Sequence, residues 1–351
     1  MTRFLFIFSF AFFRCLFASD ALERPYDVIA IGDAVNNVFL SCSDLGVCRS
    51  LMQGMDLHYN GQISIGKEYR DYLEAQIQGS ASRISTQTEF AVGSVSNSVR
   101  IIAALGGKTA FIGRVGSDPQ GISTEKTLRQ SGVIPLLKKG IFDTATVYVF
   151  KDASGEKAMA CYASRSNAFE SPDIPWDVLS KTKVLLVGGY LWNALPQHLG
   201  TVKRAVRFAR SKGVKTALGL GNVALVSRNR GDMYAELETF DLIFGTEDEF
   251  IAFLHRGEAV STDKLLKTAQ RLGKLCIITL GEKGAYIVQS EKVFFIPSET
   301  VKKVVCTVGA GDAFAGAFLY GYTRQMGLEE SGKLGAQIAA KIVQKLGTTL
   351  D

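Results

Sequence analysis

The chain has 351 residues, of which 47% are hydrophobic and 21% are charged, so it can bury a substantial core and is not intrinsically disordered as a whole. The formal net charge is +6, but Lys and Arg are spread without a cluster, and this excludes the charge stripe of a nucleic-acid-binding protein. Six scattered cysteines show no metal-ligand spacing, which argues against a disulfide framework or zinc site and favours a reducing compartment.

Residues 1–19 resemble a secretory signal peptide, with a basic Arg3, an apolar run and the small residues Ala18 and Ser19. Arg14 interrupts the apolar run, which is too short for a membrane span of about 20 residues. The alternative is an upstream extension from a wrongly assigned start. We therefore expect residues 1–23 to lie outside the fold, with no stable membrane span.

The first half of the folded region, from residue 24, mixes clear and irregular patterns. Residues 38–92 show only short runs of mixed polarity. Elsewhere, periodicity predicts a strand at YDVIAI, a helix over 94–105, a strand at TAFIGRVG, a helix from Asp118 to about Ser131, and a hairpin from segments 144–150 and 157–163.

From residue 183 onward, apolar strands alternate with helical patterns. The predicted strands are VLLVGG, VKTALGL, FDLIF and LCIITL, and the predicted helices cover 196–212, 229–238, 247–255 and 262–272. This alternation indicates right-handed βαβ units and a mainly parallel sheet, whose ligands bind beyond the carboxyl ends of the strands. A hairpin (AYIVQ and KVFFIP) and helices over 309–325 and 328–346 complete the chain.

The most informative motif is TVGAGDAF, which follows the strand-like KKVV and opens an apolar helix. Gly309, Ala310 and Gly311 have little or no side chain, so their N–H groups can approach an anion at a helix N-terminus. Asp312 in the first turn can accept a proton from an attacking hydroxyl. Residue types alone leave open a plain glycine-rich turn with Asp312 as a helix-start residue.

A second glycine-rich segment, TLGEKG, directly follows the strand LCIIT. Backbone amides around Gly281 and Gly284 suit phosphate contact, although an ordinary β-turn explains the same residues. Two such segments at strand ends of one predicted sheet favour a nucleotide site.

Two further segments supply polar side chains at predicted helix starts. In GTEDE, Glu249 is a candidate for holding Mg²⁺ through water, or alternatively serves only the helix dipole. In VGSVSN, the Gly93 backbone and the Asn97 amide are candidates for binding substrate hydroxyls; alternatively, Ser94 only caps the helix and Asn97 is a surface polar residue.

Taken in order, the Gly turn with Asn97, then Glu249, TLGEKG and TVGAGDAF resemble the pfkB-type (ribokinase-like) carbohydrate and nucleoside kinases over about residues 26–347. ALGGKTAFIGRVGSDPQG and GGYLW also resemble the bacterial adenosine-kinase-like branch. The resemblance implies an α/β fold with a central, mostly parallel sheet flanked by helices. It implies a single kinase domain over 24–351, with a small β lid formed within 38–92 and 144–163, and it implies ATP as donor and Mg²⁺ as cofactor.

The resemblance also assigns roles to individual residues. It places Asp312 as the catalytic base with Gly309, Ala310 and Gly311 as the anion hole; Thr279, Gly281 and Gly284 at the nucleotide; Asp33, Asn37, Gly93 and Asn97 at the substrate; and Glu249 at Mg²⁺ through water.

Four positions depart from the family pattern. Asn37 replaces an Asp that grips substrate hydroxyls, Val92 replaces a Gly, Thr246 replaces an Asn, and Cys306 replaces an Asp that supports a monovalent cation. The change at Asn37 removes a charge-assisted acceptor, so substrate identity is open. Because a cysteine is a poor K⁺ ligand, we expect no activation by K⁺.

These residues predict an ATP-dependent kinase that phosphorylates a hydroxyl of a nucleoside or a sugar. The alternative, motivated by the four departures, is a nucleoside- or sugar-binding protein that kept the fold but has weakened catalysis. We expect a small-molecule substrate, no nucleic-acid partner and a homodimer through the lid. An ATP-consuming enzyme with this cysteine pattern is expected in the cytoplasm, although residues 1–19 resemble an export signal.

Overall fold

The computed structural model describes residues 24–42, 45–59, 61–80, 84–89, 93–151, 157–345 and 347–350. The extension expected over residues 1–23 lies outside the described residues.

The described chain contains two β-sheets. Their strands are β1 (Tyr26–Ile31), β2 (Val35–Cys42), β3 (Gln62–Ser64), β4 (Ile84–Glu89), β5 (Thr109–Gly116), β6 (Val133–Gly140), β7 (Ala145–Lys151), β8 (Lys157–Tyr162), β9 (Thr182–Gly188), β10 (Lys215–Gly219), β11 (Leu242–Thr246), β12 (Leu275–Thr279), β13 (Gly284–Gln289) and β14 (Lys292–Pro297).

The strands are interleaved with helices that pack against both sheets. These are α1 (Leu45–Gly54), α2 (Lys67–Gly79), α3 (Ser94–Ala104), α4 (Pro119–Gln130), α5 (Trp176–Leu179), α6 (Pro196–Ser211), α7 (Val223–Ala235), α8 (Glu247–His255), α9 (Thr262–Arg271), α10 (Ala310–Thr323) and α11 (Leu328–Ile342).

The large sheet has nine strands in the order β14-β13-β12-β11-β10-β9-β1-β5-β6. Strands β6 through β12 of this order run parallel, and β13 and β14 pair antiparallel at one edge. Apolar side chains of α6 to α9 cover one face, and those of α3, α10 and α11 cover the other. The predicted α/β class, with a mostly parallel sheet between helices, is confirmed.

Strands β1 and β9 form the point at which the sheet changes winding direction. From β1 the chain continues outward through β5 and β6, and from β9 it continues in the opposite direction through β10 to β12. The first turn of α3 covers this point, because a Cβ added to Gly32 would lie 2.4 Å from Val95 Cγ2. A crevice at such a switch point is the usual ligand site of an open parallel sheet.

The second sheet has five strands in the order β3-β8-β7-β2-β4. Helices α1 and α2 cover it through an apolar cluster that includes Leu51, Leu73 and Tyr148. The irregular region over 38–92 thus contributes most of β2, and all of β3 and β4. The alternation of apolar and polar residues expected of strands is hard to see here, because these short strands are separated only by the helices α1 and α2.

Two local predictions were wrong. No strand forms over KKVV: the N–H groups of Val305 and Cys306 instead donate to the carbonyl of Val343 at 2.7 and 3.2 Å, just beyond α11. Helix α7 begins at Val223 rather than at residue 229, because the side chain of Asn222 accepts a hydrogen bond from the N–H of Leu225 at 2.8 Å and caps the helix earlier.

Two expectations from composition can also be compared with the structure. Cys161, Cys276 and Cys306 are free thiols, whereas Cys48 is disulfide-bonded, although the cysteine pattern argued against a disulfide framework and favoured a reducing compartment. Across the part of the chain that is described, no helix combines the length and apolar character that crossing a membrane requires.

Candidate active site

The glycine-rich motif before α10 forms an open helix N-terminus. Gly309 precedes the helix with φ +81° and ψ 0°, a left-handed conformation that glycine adopts without strain. A Cβ on Gly309 would lie 2.3 Å from Cγ2 of Thr348, so the following segment packs tightly against this turn. The N–H of Ala310 donates to the carbonyl of Thr307 at 3.2 Å. The other N–H groups at this helix N-terminus favour a negatively charged ligand.

Helix α3 holds the carboxylate of Asp312 on both oxygens. Ser94 Oγ donates to Oδ1 at 2.5 Å, and Asn97 Nδ2 donates to Oδ2 at 3.0 Å. Ser98 Oγ also donates to the Asp312 backbone carbonyl at 3.0 Å. Burial raises the pKa of Asp312, while the hydrogen bonds from Asn97 and Ser94 lower it. The side chain is thus fixed in direction and can act as a base.

Gly93 joins the start of α3 to the turn after β1. Its backbone has φ +84° and ψ 164°, and a Cβ added there would lie 2.2 Å from the carbonyl oxygen of Asp33. The structure therefore brings Asp33, Gly93, Asn97 and Asp312 together. Asn37 lies on β2 in the second sheet, where it pairs with Val147 and Glu89.

Asp33 carries an unusual carboxyl group. Burial raises its pKa to about 7, and a weaker interaction with Ser166 lowers it. Among the described residues, its Oδ1 is a buried atom without a hydrogen-bond partner. A buried acceptor without a donor is costly unless a ligand supplies one, so Asp33 is suited to bind a substrate hydroxyl.

Glu249 and Asp312 line the same cavity, which has a volume of about 120 Å³ and is also lined by Gly245, Thr279 and Gly311. Glu249 Oε2 accepts the N–H of Thr246 at 3.1 Å, and Thr246 Oγ1 accepts the N–H of Glu249 at 3.3 Å. This reciprocal pair of hydrogen bonds caps α8. Thr246, which replaces the Asn of the family pattern, therefore orients Glu249. Burial raises the pKa of Glu249, and the nearby Asp312 and Asp248 raise it further against the bonds from Thr246.

The TLGEKG segment forms a tight turn between β12 and β13. Thr279 lines the cavity and donates to the carbonyl of Gly245 at 3.4 Å. Gly281 has φ +60° with open space beside it, whereas a Cβ on Gly284 (φ +118°) would lie 2.1 Å from the carbonyl oxygen of Ile296. Gly284 is therefore needed for the turn itself, and Gly281 leaves backbone accessible.

Three residues near Asp312 escaped the sequence analysis or were given another role. Ser94 fitted a helix cap, but Gly93 occupies the cap and Ser94 binds Asp312. Tyr190 lies in a turn after β9, accepts a hydrogen bond from Asn222 Nδ2 at 3.1 Å, and has a pKa raised to about 12 by burial. Thr348 is 251 residues from Asn97, to which it donates. Ser94 and Tyr190 lay in quoted motifs, VGSVSN and GGYLW, whereas Thr348 lay in none.

We expect Asp33→Asn to change the pH dependence of stability. Because the folded state raises the pKa of Asp33 from 3.8 to about 7, it holds the proton where the unfolded chain releases it. The carboxyl's contribution is therefore fully present below pH 3.8, and the free energy of unfolding falls as pH rises toward 7. In urea titrations, the free energy of unfolding of Asp33→Asn minus that of the wild type should be more positive at about pH 8 than at about pH 4.

The exposed Asp263, on α9, supplies the control, because Asp263→Asn makes the same chemical change without touching a buried carboxyl group. An equal stability difference between Asp33→Asn and wild type at both pH values would contradict a raised pKa at Asp33.

The fold and the site define the class of protein as a small-molecule kinase. A parallel sheet presents a helix N-terminus for an anion, and a fixed carboxylate stands beside it. These are the parts that phosphoryl transfer to a hydroxyl requires.

Comparison with known proteins supports this class. A model of the pfkB family of carbohydrate kinases matches residues 64–351, and the chain belongs to that family. It is 26% identical over 303 residues to a 5-dehydro-2-deoxygluconokinase of Bacillus licheniformis, covering 81% of this chain and 90% of the relative. It is 29% identical over 267 residues to a probable fructokinase-5 of Arabidopsis thaliana, covering 70% of this chain and 78% of the relative.

A solved structure is similar across nearly the whole chain. The adenosine kinase from Sinorhizobium meliloti superposes with a TM-score of 0.80 and 27% identity, covering 93% of this chain and 96% of that one. The chain is thus an ATP-dependent phosphotransferase with an alcohol group as acceptor, as the sequence predicted.

Proposed function

We propose that this kinase transfers the γ-phosphoryl group of ATP to a hydroxyl of a sugar or nucleoside, with Asp312 as the base. The observation that carries the proposal is the carboxylate of Asp312, which α3 fixes at the N-terminus of α10 beside the cavity shared with Glu249. Asp312 accepts the proton of the attacking hydroxyl. In this proposal the N–H groups of Gly309, Ala310 and Gly311 stabilise charge on the transferred group, and the Ala310 N–H must first leave the carbonyl of Thr307.

The donor nucleotide binds on the β11–β12 side of the cavity in this proposal. Thr279 lines the cavity there, and Gly281 and Gly284 shape the turn that follows. Backbone amides of such turns contact phosphate oxygens without a side chain in the way.

Mg²⁺ fits this cavity as an ion held mainly by water and phosphate. No group of three or more His, Cys, Asp or Glu side chains suited to a metal occurs among the residues described here. Glu249 supplies a single oriented carboxylate, which suits an ion that keeps several waters and takes few protein ligands. When bound, Mg²⁺ neutralises phosphate charge.

Replacement of Glu249 by glutamine is expected to raise the Mg²⁺ concentration needed for half-maximal rate about tenfold, because it removes the charge near the ion. The amide oxygen can still accept the Thr246 N–H, so the cap of α8 is retained. A Mg²⁺ titration of the ADP-release rate at saturating ATP measures the effect. An unchanged Mg²⁺ dependence would remove Glu249 from the metal site.

The acceptor binds between the large sheet and the second sheet, which we propose acts as a lid. Asp33, Gly93 and Asn97 contact it from the switch point, and Asn37 contacts it from β2. Asp33 supplies a carboxyl group with an unsatisfied oxygen, so a charge-capable acceptor is present although Asn37 departs from the family pattern. Lid closure would exclude water and limit hydrolysis of ATP.

The alternative function is a binding protein with weakened catalysis. Its motivation is the set of departures at Asn37, Val92, Thr246 and Cys306. Two observations favour the enzyme: Thr246 still orients Glu249, and Asp312 keeps two hydrogen-bond donors.

An ADP-release assay with MgATP across a panel of acceptors tests the proposal. The panel should contain fructose and 5-dehydro-2-deoxygluconate, matching the names of the sugar-kinase relatives, and adenosine, matching the structural neighbour. An acceptor-dependent signal would establish the kinase and identify its acceptor class. Silence across the panel, with ATP or nucleoside binding still detectable, would support the binding protein.

We propose that residues 24–351 form one kinase unit that dimerises through the lid, where Tyr69 and Tyr72 on α2 expose large rings. We also propose a cytoplasmic location, where ATP is available. Light scattering in solution tests the dimer, and fractionation of the native cells tests the location.

A further inference from the structure

A chain of hydrogen bonds runs from α3 through the segment 347–350 to Asp312. Arg100 Nη1 donates to Thr348 Oγ1 at 3.4 Å, and Thr348 Oγ1 donates to Asn97 Oδ1 at 3.1 Å. Asn97 Nδ2 then donates to Asp312 Oδ2 at 3.0 Å. Arg100, Thr348 and Asn97 are all at most 6% exposed, so water does not readily replace these bonds.

The chemistry of these groups allows only one donor-to-acceptor direction along this series of hydrogen bonds. A guanidinium can only donate, so Arg100 uses an acceptor site of the Thr348 hydroxyl. The hydroxyl proton is then available for Asn97 Oδ1, and an amide whose oxygen faces Thr348 must turn its NH₂ group toward Asp312. The ionised Asp312 carboxylate, which can only accept, favours this same orientation of the Asn97 amide, and the Thr348 hydroxyl reinforces it by donating to Asn97 Oδ1.

We infer that Thr348 is a positioning residue for the catalytic base, because its hydroxyl orients the Asn97 amide so that Asp312 receives an N–H. This inference rests on the proposed function, in which Asp312 is the base. Thr348 has a second contact, through Cγ2, with the turn at Gly309. The same residue thus touches the anion-binding turn with its methyl group and serves the base with its hydroxyl.

The orientation of the Asn97 amide matters because Asp312 must be ionised to accept a proton. A donated N–H stabilises the carboxylate and lowers the pKa of Asp312 against the effect of burial. If the amide turned, its oxygen would face the carboxylate and the pKa of Asp312 would rise. Asp312 would then stay protonated, and unable to act as a base, up to a higher pH.

Other charged or titratable groups surround Asp312 and must be considered in any pH profile. Glu249 on α8 lines the same cavity, and Tyr190 after β9 interacts with both carboxylates. Asp33 after β1 contacts Gly93 through its backbone. The buried side chains of α11 and β11 are uncharged. The Thr348 substitutions leave all of these groups in place.

The pair Thr348→Val and Thr348→Ser separates the hydroxyl from the methyl group. Valine keeps a methyl group against Gly309 and loses the hydroxyl, whereas serine keeps the hydroxyl. With the acceptor found in the panel, we expect Thr348→Val to lower kcat about tenfold on the acidic limb of the kcat–pH profile and about threefold or less on its plateau. The acidic limb should move to higher pH, while Thr348→Ser keeps the wild-type limb.

The outcomes are distinguishable from a failure of the proposed function. A fold defect in Thr348→Val would lower kcat equally at all pH values and leave the limb in place, which would overturn the inference. A wild-type profile in Thr348→Val, with Asp312→Asn inactive, would overturn it while leaving Asp312 as the base. An active Asp312→Asn would instead remove the proposed function on which the inference rests.

Discussion

Asp312→Asn should lower kcat by about 10²–10⁴-fold, the contribution that a positioned general base typically makes. The substitution keeps the shape of the side chain. The introduced amide can direct its oxygen at Asn97 Nδ2 and its NH₂ group at Ser94 Oγ, because the serine hydroxyl can rotate to accept. The geometry of the site is therefore retained and only the proton acceptor is lost.

The measurement is ADP release with the acceptor from the panel, together with calorimetric titration of ATP. ATP affinity should change little, since only the base is removed. Because burial raises the pKa of Asp312, the neutral variant should also unfold at a higher urea concentration near neutral pH. Asp263→Asn, which removes an exposed carboxylate from the first turn of α9, should leave the rate unchanged. A rate within about threefold of wild type in Asp312→Asn would contradict the assignment of the base.

Replacement of Gly93 by alanine is the second change expected to have a large effect. The residue has φ +84° and ψ 164°, a conformation that costs about 1–3 kcal/mol for residues other than glycine. The new Cβ would also lie 2.2 Å from the Asp33 carbonyl oxygen, and a backbone contact is not relieved by rotating a side chain. This overlap should add about 1–3 kcal/mol to the loss of stability.

Gly327 provides a matched control for the backbone strain. It precedes α11 with φ 86° and ψ 158°, and an added Cβ would meet nothing within 4 Å. Gly327→Ala should therefore show the conformational cost alone. Urea titrations of both variants give the difference, and KM for the acceptor should rise in Gly93→Ala but not in Gly327→Ala. Equal losses of stability with unchanged KM would show that the Gly93–Asp33 contact is unimportant.

The regular part of the fold was predictable because it depends on local patterns. The strands β1, β5 and β9 to β12 are short apolar runs, and α3 and α10 follow glycine-rich turns with helical periodicity. A run of residues buried on both faces of a parallel sheet must be apolar along its whole length. That requirement is visible in any one segment without knowledge of its neighbours.

The second sheet and the segment before α10 were less predictable, for a related reason. Strand β2 pairs parallel with β7, which lies far along the chain, so its pattern reflects partners that the local sequence does not contain. KKVV has the β-branched composition of a strand, yet its end is bonded to Val343 beyond α11. Tertiary packing can override a local strand propensity in this way.

The sequence by itself determined the fold class, the glycine turns at Gly93 and Gly309, and the choice of Asp312 as the chemical group of interest, because these depend on residue type and short spacing. Only the tertiary structure decided what surrounds that group. Ser94 is 218 residues from Asp312, and Thr348 is 251 residues from Asn97, yet hydrogen bonds join each pair. A side-chain hydrogen bond forms only when folding brings donor and acceptor to within about 3 Å, and separation along the chain carries no information about that distance.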